Sequence, residues 1–508
     1  MPHFWSGILH DNEVFDRSNL WRSKTSFITM NAAEMNQRNQ AATTAAPTPS
    51  HERGSNTPST APTVCAIATP RGAGGIAIIR VSGVLALPIL RSAFRPAHAS
   101  RAFEPSRMMY GHVVADDESI IDEALAVFMP GPHSYTREDV AEIHCHGGDV
   151  AARRTLSRIL ELGALPAGPG AFTKRAFLSG RIDLARAEAV MQLIGANSEA
   201  AARASVRQME GGVSGFVREA SQRIIDQLAL IEASTDFPDE VEEEAASEQV
   251  AAGIRAIIGE ITRRCDPRSA RMLREGASIV LAGRPNVGKS SLMNALLNQE
   301  RAIVTAIPGT TRDVLTERIT IGGVTAELSD TAGQRDTLDP VEKIGVDRAK
   351  NAVETADIVL IVIDASCALD ESDRELLQNA DGRTVVCLNK MDLDAQVSRA
   401  AIERLTGAEI IELSASTGQG MDVLFKALEA RLSENLSEDS LTVERHIMLA
   451  QRAAESLKSA LAAIEMAMPL DIVSLDLKQA LESLSEITAT DATEDVITEI
   501  FARFCVGK

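Results

Sequence analysis

The chain has 508 residues, 45% of them hydrophobic, and a formal net charge of −20; that length suits about two to four domains. No apolar run reaches the ~18 residues that would cross a bilayer, and an acidic chain with two Trp and two Tyr lacks a base-stacking platform. A nucleic-acid partner would therefore need a local basic patch or a second subunit.

Six cysteines (65, 145, 265, 367, 387 and 505) show no C-x-x-C pairing. Their scatter suits a reducing cytoplasm better than disulfides or zinc. Residues 1–62 read as a disordered extension, because 41–63 is rich in Ala, Thr, Pro and Ser without apolar periodicity. The stretch before it balances acidic and basic residues, unlike a transit peptide, so organellar targeting ranks below a cytoplasmic location. A start at Met30 or Met35 is an equal reading of this end.

Order is expected from Val64. Strand-like runs occur at Cys65–Thr69, Gly75–Val81, Ala124–Phe128 and Val140–His146, with a helix over Val150–Leu162. This predicts an α+β domain over 63–180. His144 and His146 share a strand face but lack a third ligand nearby, so they read as core or interface residues rather than a metal site. Arg153, Arg154, Arg158, Lys174 and Arg175 form a basic cluster, read as ordinary solvated surface before tRNA contact. Residues 181–275 turn Ala-rich and helical, with a long amphipathic stretch over Phe216–Ser234.

Residues 276–433 carry three motifs in a fixed order. Gly283-Arg-Pro-Asn-Val-Gly-Lys-Ser290 fits G-x-x-x-x-G-K-[ST] between a buried strand, Ser278–Ala282, and a helix, Ser291–Leu297. Backbone N–H groups and the helix N-terminus then face phosphates, Lys289 supplies charge, and the Ser290 hydroxyl suits Mg²⁺. Asp330-Thr-Ala-Gly333 follows a strand and places Asp330 near that ion. Asn389-Lys-Met-Asp392 selects guanine, because Asp392 can accept from N1–H and the exocyclic amine, a pattern adenine lacks. The pocket is expected to bind GTP through Asn286, Val287, Gly288, Lys289, Ser290 and Ser291, to which the family resemblance given below adds Thr305, Ala306, Ile307, Pro308, Gly309, Thr310 and Thr311. Asp330, Thr331, Ala332, Gly333, Asn389, Lys390 and Asp392 complete the motifs, and the same resemblance adds Ser414, Ala415 and Ser416. Helical pattern resumes over 434–508, so this segment interrupts a discontinuous helical domain.

Four further regions, Ala68–Gly75 with Ile79–Gly83, Glu142–Gly148, Pro169–Leu184 and Phe504–Lys508, resemble the MnmE family of tRNA-modifying GTPases over Val64–Lys508. The acidic stretch Thr235–Glu243 also resembles part of the family's helical domain. The resemblance implies a multidomain α/β and α protein: an N-terminal α+β folate-binding-like dimerisation domain, a discontinuous helical domain, and an inserted Ras-like P-loop domain whose mixed sheet is flanked by helices. It further implies a flavin-dependent (MnmG-like) partner, and an aminomethyl or carboxymethylaminomethyl group placed on C5 of the tRNA wobble uridine. A tetrahydrofolate derivative, of 5-formyl or 5,10-methylene type, would supply the carbon and meet Arg80, Glu142, Arg181 and Lys508.

By the same resemblance, Ser290 and Thr311 ligate Mg²⁺, while Asn286, Thr305, Ile307 and Thr310 form a K⁺ site completed when two GTPase domains meet. Glu342 orients the attacking water, and Cys505 is either a nucleophile or acid in the modification or a packed residue of a closing tail. Several positions depart from the family pattern: Gln334 stands where an apolar residue is usual and could share water positioning with Glu342, Pro308 replaces alanine, Arg181 replaces lysine and Ala171 replaces glutamate. Ser416 stands where the guanine-side loop often has lysine. Two other classes fit the pocket motifs, a ribosome-assembly GTPase and a purely regulatory switch.

Overall fold

The computed structural model describes residues 61–508 apart from 71, 99–102, 238–241, 299–316, 331–351, 435, 438 and 489–493. The predicted disorder of 1–62 lies almost wholly outside the described residues. The first layer is a sheet of β1 (Val64–Ile67), β2 (Ile76–Ser82), β3 (Phe94–Pro96), β4 (Met109–Val114), β5 (Ile120–Met129), β6 (Val140–His146) and β7 (Leu165–Pro166), in the order β3-β4-β5-β6-β2-β1-β7. Alternation along β2 and β6 sorts side chains onto two faces. Ile79, Val81, Ile143 and Cys145 join Ile89, Leu90 and Ile159 in one core with helices Ala86–Ala93 and Asp149–Glu161.

The other face carries Arg80 and Glu142, which are directly opposed in the β2–β6 register, followed by His144 two residues on. Phe172, from helix Ala171–Leu178, and Tyr135 pack on this side with Val64 and Ala66. His146 does not take the core arm of the core-or-interface reading: its side chain is exposed and bonds Asp122 at 2.7 Å, because β6 has reached its end there. The basic cluster is likewise divided. Arg175 pairs with Glu138 and donates to the Pro62 and Ser82 carbonyls, whereas Arg153 and Arg158 pair with Asp149 and Asp116.

Helices Leu184–Gly195, Glu199–Glu210, Gly212–Asp236 and Glu243–Arg264 precede the next sheet; Glu444–Glu465 and Leu470–Thr488 follow it. All but Glu199–Glu210 share one core, in which Ile224, Ile254 and Ile257 meet Leu457, Leu477 and Leu484, whereas Ala200 and Ala204 of that helix pack into the core of the inserted sheet. Apolar residues at helical spacing on both sides of a long insertion thus close a single bundle. A buried carboxylate joins the two halves: Glu188 accepts from Arg445 at 2.7 and 3.0 Å and contacts His446 at 2.7 Å. The terminal helix Glu494–Ala502 brings Phe501 and Phe504 against Leu184, Ala187 and Phe177.

The inserted sheet comprises β8 (Ala277–Ala282), β9 (Glu317–Ile321), β10 (Val324–Asp330), β11 (Ile358–Asp364), β12 (Thr384–Asn389) and β13 (Glu409–Glu412), in the order β13-β12-β11-β8-β10-β9. Among the described strands of this sheet, only the β9–β10 pair is antiparallel. Strands β11 and β12 are buried along their whole length, as parallel strands covered by helices on both faces must be. The order reverses at β8, so a crevice opens beyond its C-terminal end. The β9–β10 turn rests on the helical layer, where Ala200 N–H donates to the Gly323 carbonyl (3.0 Å) and Thr325 Oγ1 to that of Asn197 (2.8 Å). No described helix is long and apolar enough to cross a membrane.

Candidate nucleotide-binding site

At the β8 crevice the chain turns through Gly283 and Gly288 into helix Lys289–Leu297. Both glycines have positive φ, 147° and 100°. A Cβ on Gly288 would lie 2.3 Å from Asn389 Nδ2, and one on Gly283 would lie 2.5 Å from the Val362 carbonyl oxygen. Only glycine permits both the turn and these close approaches. Lys289 is buried, and its Nζ donates to the carbonyls of Gly283 and Arg284 at 2.7 Å each. Burial pushes its ammonium below the usual lysine range, with Asp330 opposing. A buried cation held by neutral carbonyls, standing beside the partly positive N-terminus of a helix, fits a phosphate group. Beside it, Ser290 Oγ lies 3.3 Å from Asp330 Oδ2, the hard oxygen donors that suit Mg²⁺.

Three loops are stapled together around this turn. Asn389 Nδ2 donates to the Val287 carbonyl at 2.9 Å, while its Oδ1 accepts from Ala415 N–H at 3.0 Å. Lys390 Nζ donates to the Asn286 carbonyl (3.0 Å) and to Asp364 Oδ2 (2.6 Å). Asn286 and Lys390 are both left-handed, φ 64° and 66°. Asparagine tolerates that region better than lysine, whose strained backbone is held by its two ammonium contacts.

Asp392 is oriented by two hydroxyls: Ser414 Oγ donates to Oδ1 at 2.6 Å and Ser416 Oγ to Oδ2 at 3.3 Å. The Ser414 bond leads in holding its carboxyl below the usual range, so the acceptor form prevails at neutral pH. Val287 is buried and Ser291 exposed on the first helical turn. The remaining expected positions, Thr305, Ala306, Ile307, Pro308, Gly309, Thr310, Thr311, Thr331, Ala332, Gly333, Gln334 and Glu342, lie outside the described residues.

Sequence reasoning passed over Asp364 and Arg284. Asp364 ends the buried run Ile358–Asp364, and a carboxylate at the C-terminal end of a central parallel strand was a readable signal. Lys390 and Ser366 keep it ionised against burial, which pushes the other way.

A second cluster lies on the first sheet. Arg80 Nε donates to Glu142 Oε1 at 2.8 Å, and His144 Nε2 lies 3.2 Å from Oε2. Burial would raise the Glu142 carboxyl, but His144 and Arg80 together hold it below the usual range. The Arg181 guanidinium sits 4.8 Å from the Tyr135 ring centre and that of Arg80 5.8 Å from it, while Tyr135 Oη bonds Thr173 Oγ1 at 3.1 Å. Tyr135 was not anticipated, since nothing local marks a ring that two distant arginines share. The chain end closes on this cluster: Phe172 N–H donates to the Lys508 carbonyl (3.0 Å) and Gly170 N–H to that of Cys505 (3.3 Å). Cys505 itself is exposed. Among the described residues no three His, Cys, Asp or Glu side chains gather as a metal site.

A doubly wound sheet with a glycine-built P-loop turn before a helix, and the Asn389-Lys-Met-Asp392 run held against it, has the make-up of a P-loop guanine-nucleotide-binding protein. Models of the MnmE helical domain and of the GTP-binding protein TrmE N-terminus match residues 184–505 and 63–181. The tRNA modification GTPase MnmE of Symbiobacterium thermophilum is 44% identical over 454 residues, covering 88% of this chain and 99% of that protein. Those of Alkaliphilus oremlandii and Lactobacillus delbrueckii subsp. bulgaricus are 40% and 41% identical, each over 88% of this chain and 99% and 98% of their own lengths. The chain belongs to the MnmE family of tRNA modification GTPases.

Proposed function

We propose that this protein is the GTP-hydrolysing subunit of a complex that places an aminomethyl or carboxymethylaminomethyl group on C5 of the wobble uridine in tRNA. It would act as a homodimer through residues 63–180, with an FAD-dependent, MnmG-like subunit as partner. The observation that carries this reading is the presence, in one chain, of the guanine pocket and of the Arg80–Glu142–Arg181 cluster closed by the Cys505–Lys508 end.

The pocket residues divide the work of hydrolysis. Amides of the 283–290 turn and Lys289 hold the phosphates; Ser290 and Thr311 hold Mg²⁺, with Asp330 behind the serine. Glu342 orients the attacking water, a role that Gln334, directly after Asp330-Thr-Ala-Gly333, could share. Asn286, Thr305, Ile307 and Thr310 would hold K⁺, which neutralises charge developing on the transferred phosphoryl oxygens. If so, exchanging Na⁺ for K⁺ should raise the GTPase rate at least tenfold, read as phosphate release at saturating GTP. Equal rates would remove the cation assignment.

The second cluster fits a folate. Arg80 and Arg181 suit tail carboxylates, Glu142 suits the amino-pyrimidine edge of a pterin, and Tyr135 and Phe172 offer apolar walls. The bound folate derivative would supply the one-carbon unit, and the exposed Cys505 thiol lies in the chain segment that closes over the site. Nucleoside mass spectrometry of total tRNA tests the whole reading. Cells lacking the gene should lose 5-aminomethyl-type wobble uridines; the full chain should restore them and its Cys505→Ser variant should not. Wobble uridines unchanged by the deletion would overturn tRNA modification as the function.

A further inference from the structure

The phosphate-binding turn carries an arginine whose side chain points away from the nucleotide crevice. Arg284 directs its guanidinium fork onto the carboxylate of Asp373, with Nε–Oδ1 at 2.8 Å and Nη2–Oδ2 at 2.7 Å. Its Nη1 donates to Asp370 Oδ2 at 2.8 Å. Asp373 is fully buried. Both aspartates also build the N-terminal box of helix Glu371–Gln378, in which Asp370 caps the helix and Asp373 reaches back to the Asp370 N–H. The fork is therefore gripped by groups that a rigid helix end already holds in place. Planar two-point pairing fixes orientation as well as distance.

The same segment, 364–373, reaches the other side of the pocket. Its first residue, Asp364, holds Lys390, and Lys390 in turn holds the Asn286 carbonyl. Residues 284 and 286 are thus both tied to one strap, one directly and one through a lysine. Between them stands Pro285, which has no N–H to add. The Arg284 carbonyl is also one of the two acceptors of Lys289 Nζ. A shift of Arg284 would move an acceptor of the phosphate-facing lysine together with the backbone leading to Asn286.

We propose that Arg284 is a positioning residue for GTP binding and hydrolysis, anchored by Asp373 and Asp370. It acts on the phosphates through the backbone of the 283–290 turn and through Lys289 without touching them. The inference rests on the GTP-binding reading of the pocket, and nucleotide binding by the parent chain tests that reading separately. Lysine cannot reproduce the fork, since it offers one compact ammonium in place of a planar pair of donors.

The test uses the full chain and fluorescent GDP and ADP analogues. Arg284→Lys should weaken GDP at least tenfold, while the ratio of GDP to ADP affinity stays within twofold of the parent, because Ser414 and Ser416 still hold Asp392. Thermal unfolding of the nucleotide-free variant separates this from general instability, since a merely structural arginine would lower the melting temperature and leave affinity in the folded protein unchanged. A folded Arg284→Lys protein with GDP affinity within twofold of the parent overturns the proposal. If that variant does not fold, Asp370→Asn decides. Asparagine caps the helix as well as aspartate does; with its Oδ1 kept on the Asp373 N–H, its amide NH₂ replaces the charged acceptor that faces Arg284. About threefold weaker GDP binding supports the clamp, and unchanged binding overturns it.

Discussion

Replacing Asp392 by Asn is expected to weaken GTP binding by at least about a hundredfold, with the fold intact. A carboxylate presents two acceptors to the N1–H and amine of guanine, whereas one arm of an amide presents N–H donors to a donor. Sites built to hydrogen-bond a polar edge reject a mismatched one by several orders of magnitude. The geometry sharpens this expectation, because Ser414 and Ser416 each donate to one oxygen of Asp392 and so fix which way the group faces. The same variant should gain affinity for xanthosine triphosphate, whose carbonyl at C2 accepts from the new amide. Competition against a fluorescent nucleotide reads both changes. Unchanged GTP affinity would remove Asp392 from the base site.

The second large effect concerns the join between the two halves of the helical layer. Glu188→Ala leaves the Arg445 guanidinium facing a cavity beside the fully buried His446. Removing one member of such a buried pair costs about 3–5 kcal/mol, which chemical denaturation should read directly. Arg445 also donates to the carbonyls of Glu486 and Ile487, so the loss loosens helix Leu470–Thr488 as well.

The pH dependence has a definite sign. Burial pushes the Glu188 carboxyl up, but the bonds from His446 and Arg445 outweigh it and leave the group below its ordinary value. Its contribution is therefore complete above the ordinary carboxylate range and is lost as pH falls through the lower folded value. Glu188→Gln should then be clearly less stable than the parent at pH 7, and the gap should narrow towards pH 3. A gap that stays constant would show that the charge of Glu188 is not what matters.

Legibility differed between the two clusters for a physical reason. The guanine pocket is assembled from loops that each follow a strand, and each loop's chemistry is local: a glycine turn, a lysine, an Asn-Lys-x-Asp run. Strand periodicity places every one of those loops at the same end of a parallel sheet. The ties between the loops were not legible. Asp364 to Lys390, Arg284 to Asp373 and Ser416 to Asp392 join residues 26, 89 and 24 positions apart, and no short-range pattern encodes them. The secondary elements show the same split. Val140–His146 alternates from Ala141 onward and emerges as β6 with those bounds, whereas the short β3 and β7 carry too few residues to show any period.

The sequence by itself determined the class of nucleotide and the family, because motif chemistry and hydrophobic period are properties of neighbouring residues. Only the tertiary structure decided that Tyr135 stands between Arg80 and Arg181, that the last four residues lie against Gly170 and Phe172, and that Glu188 closes the helical layer on Arg445 and His446. Those contacts arise from packing among segments far apart in the chain, and burial selects them through shape and charge that become adjacent only once the layers have formed.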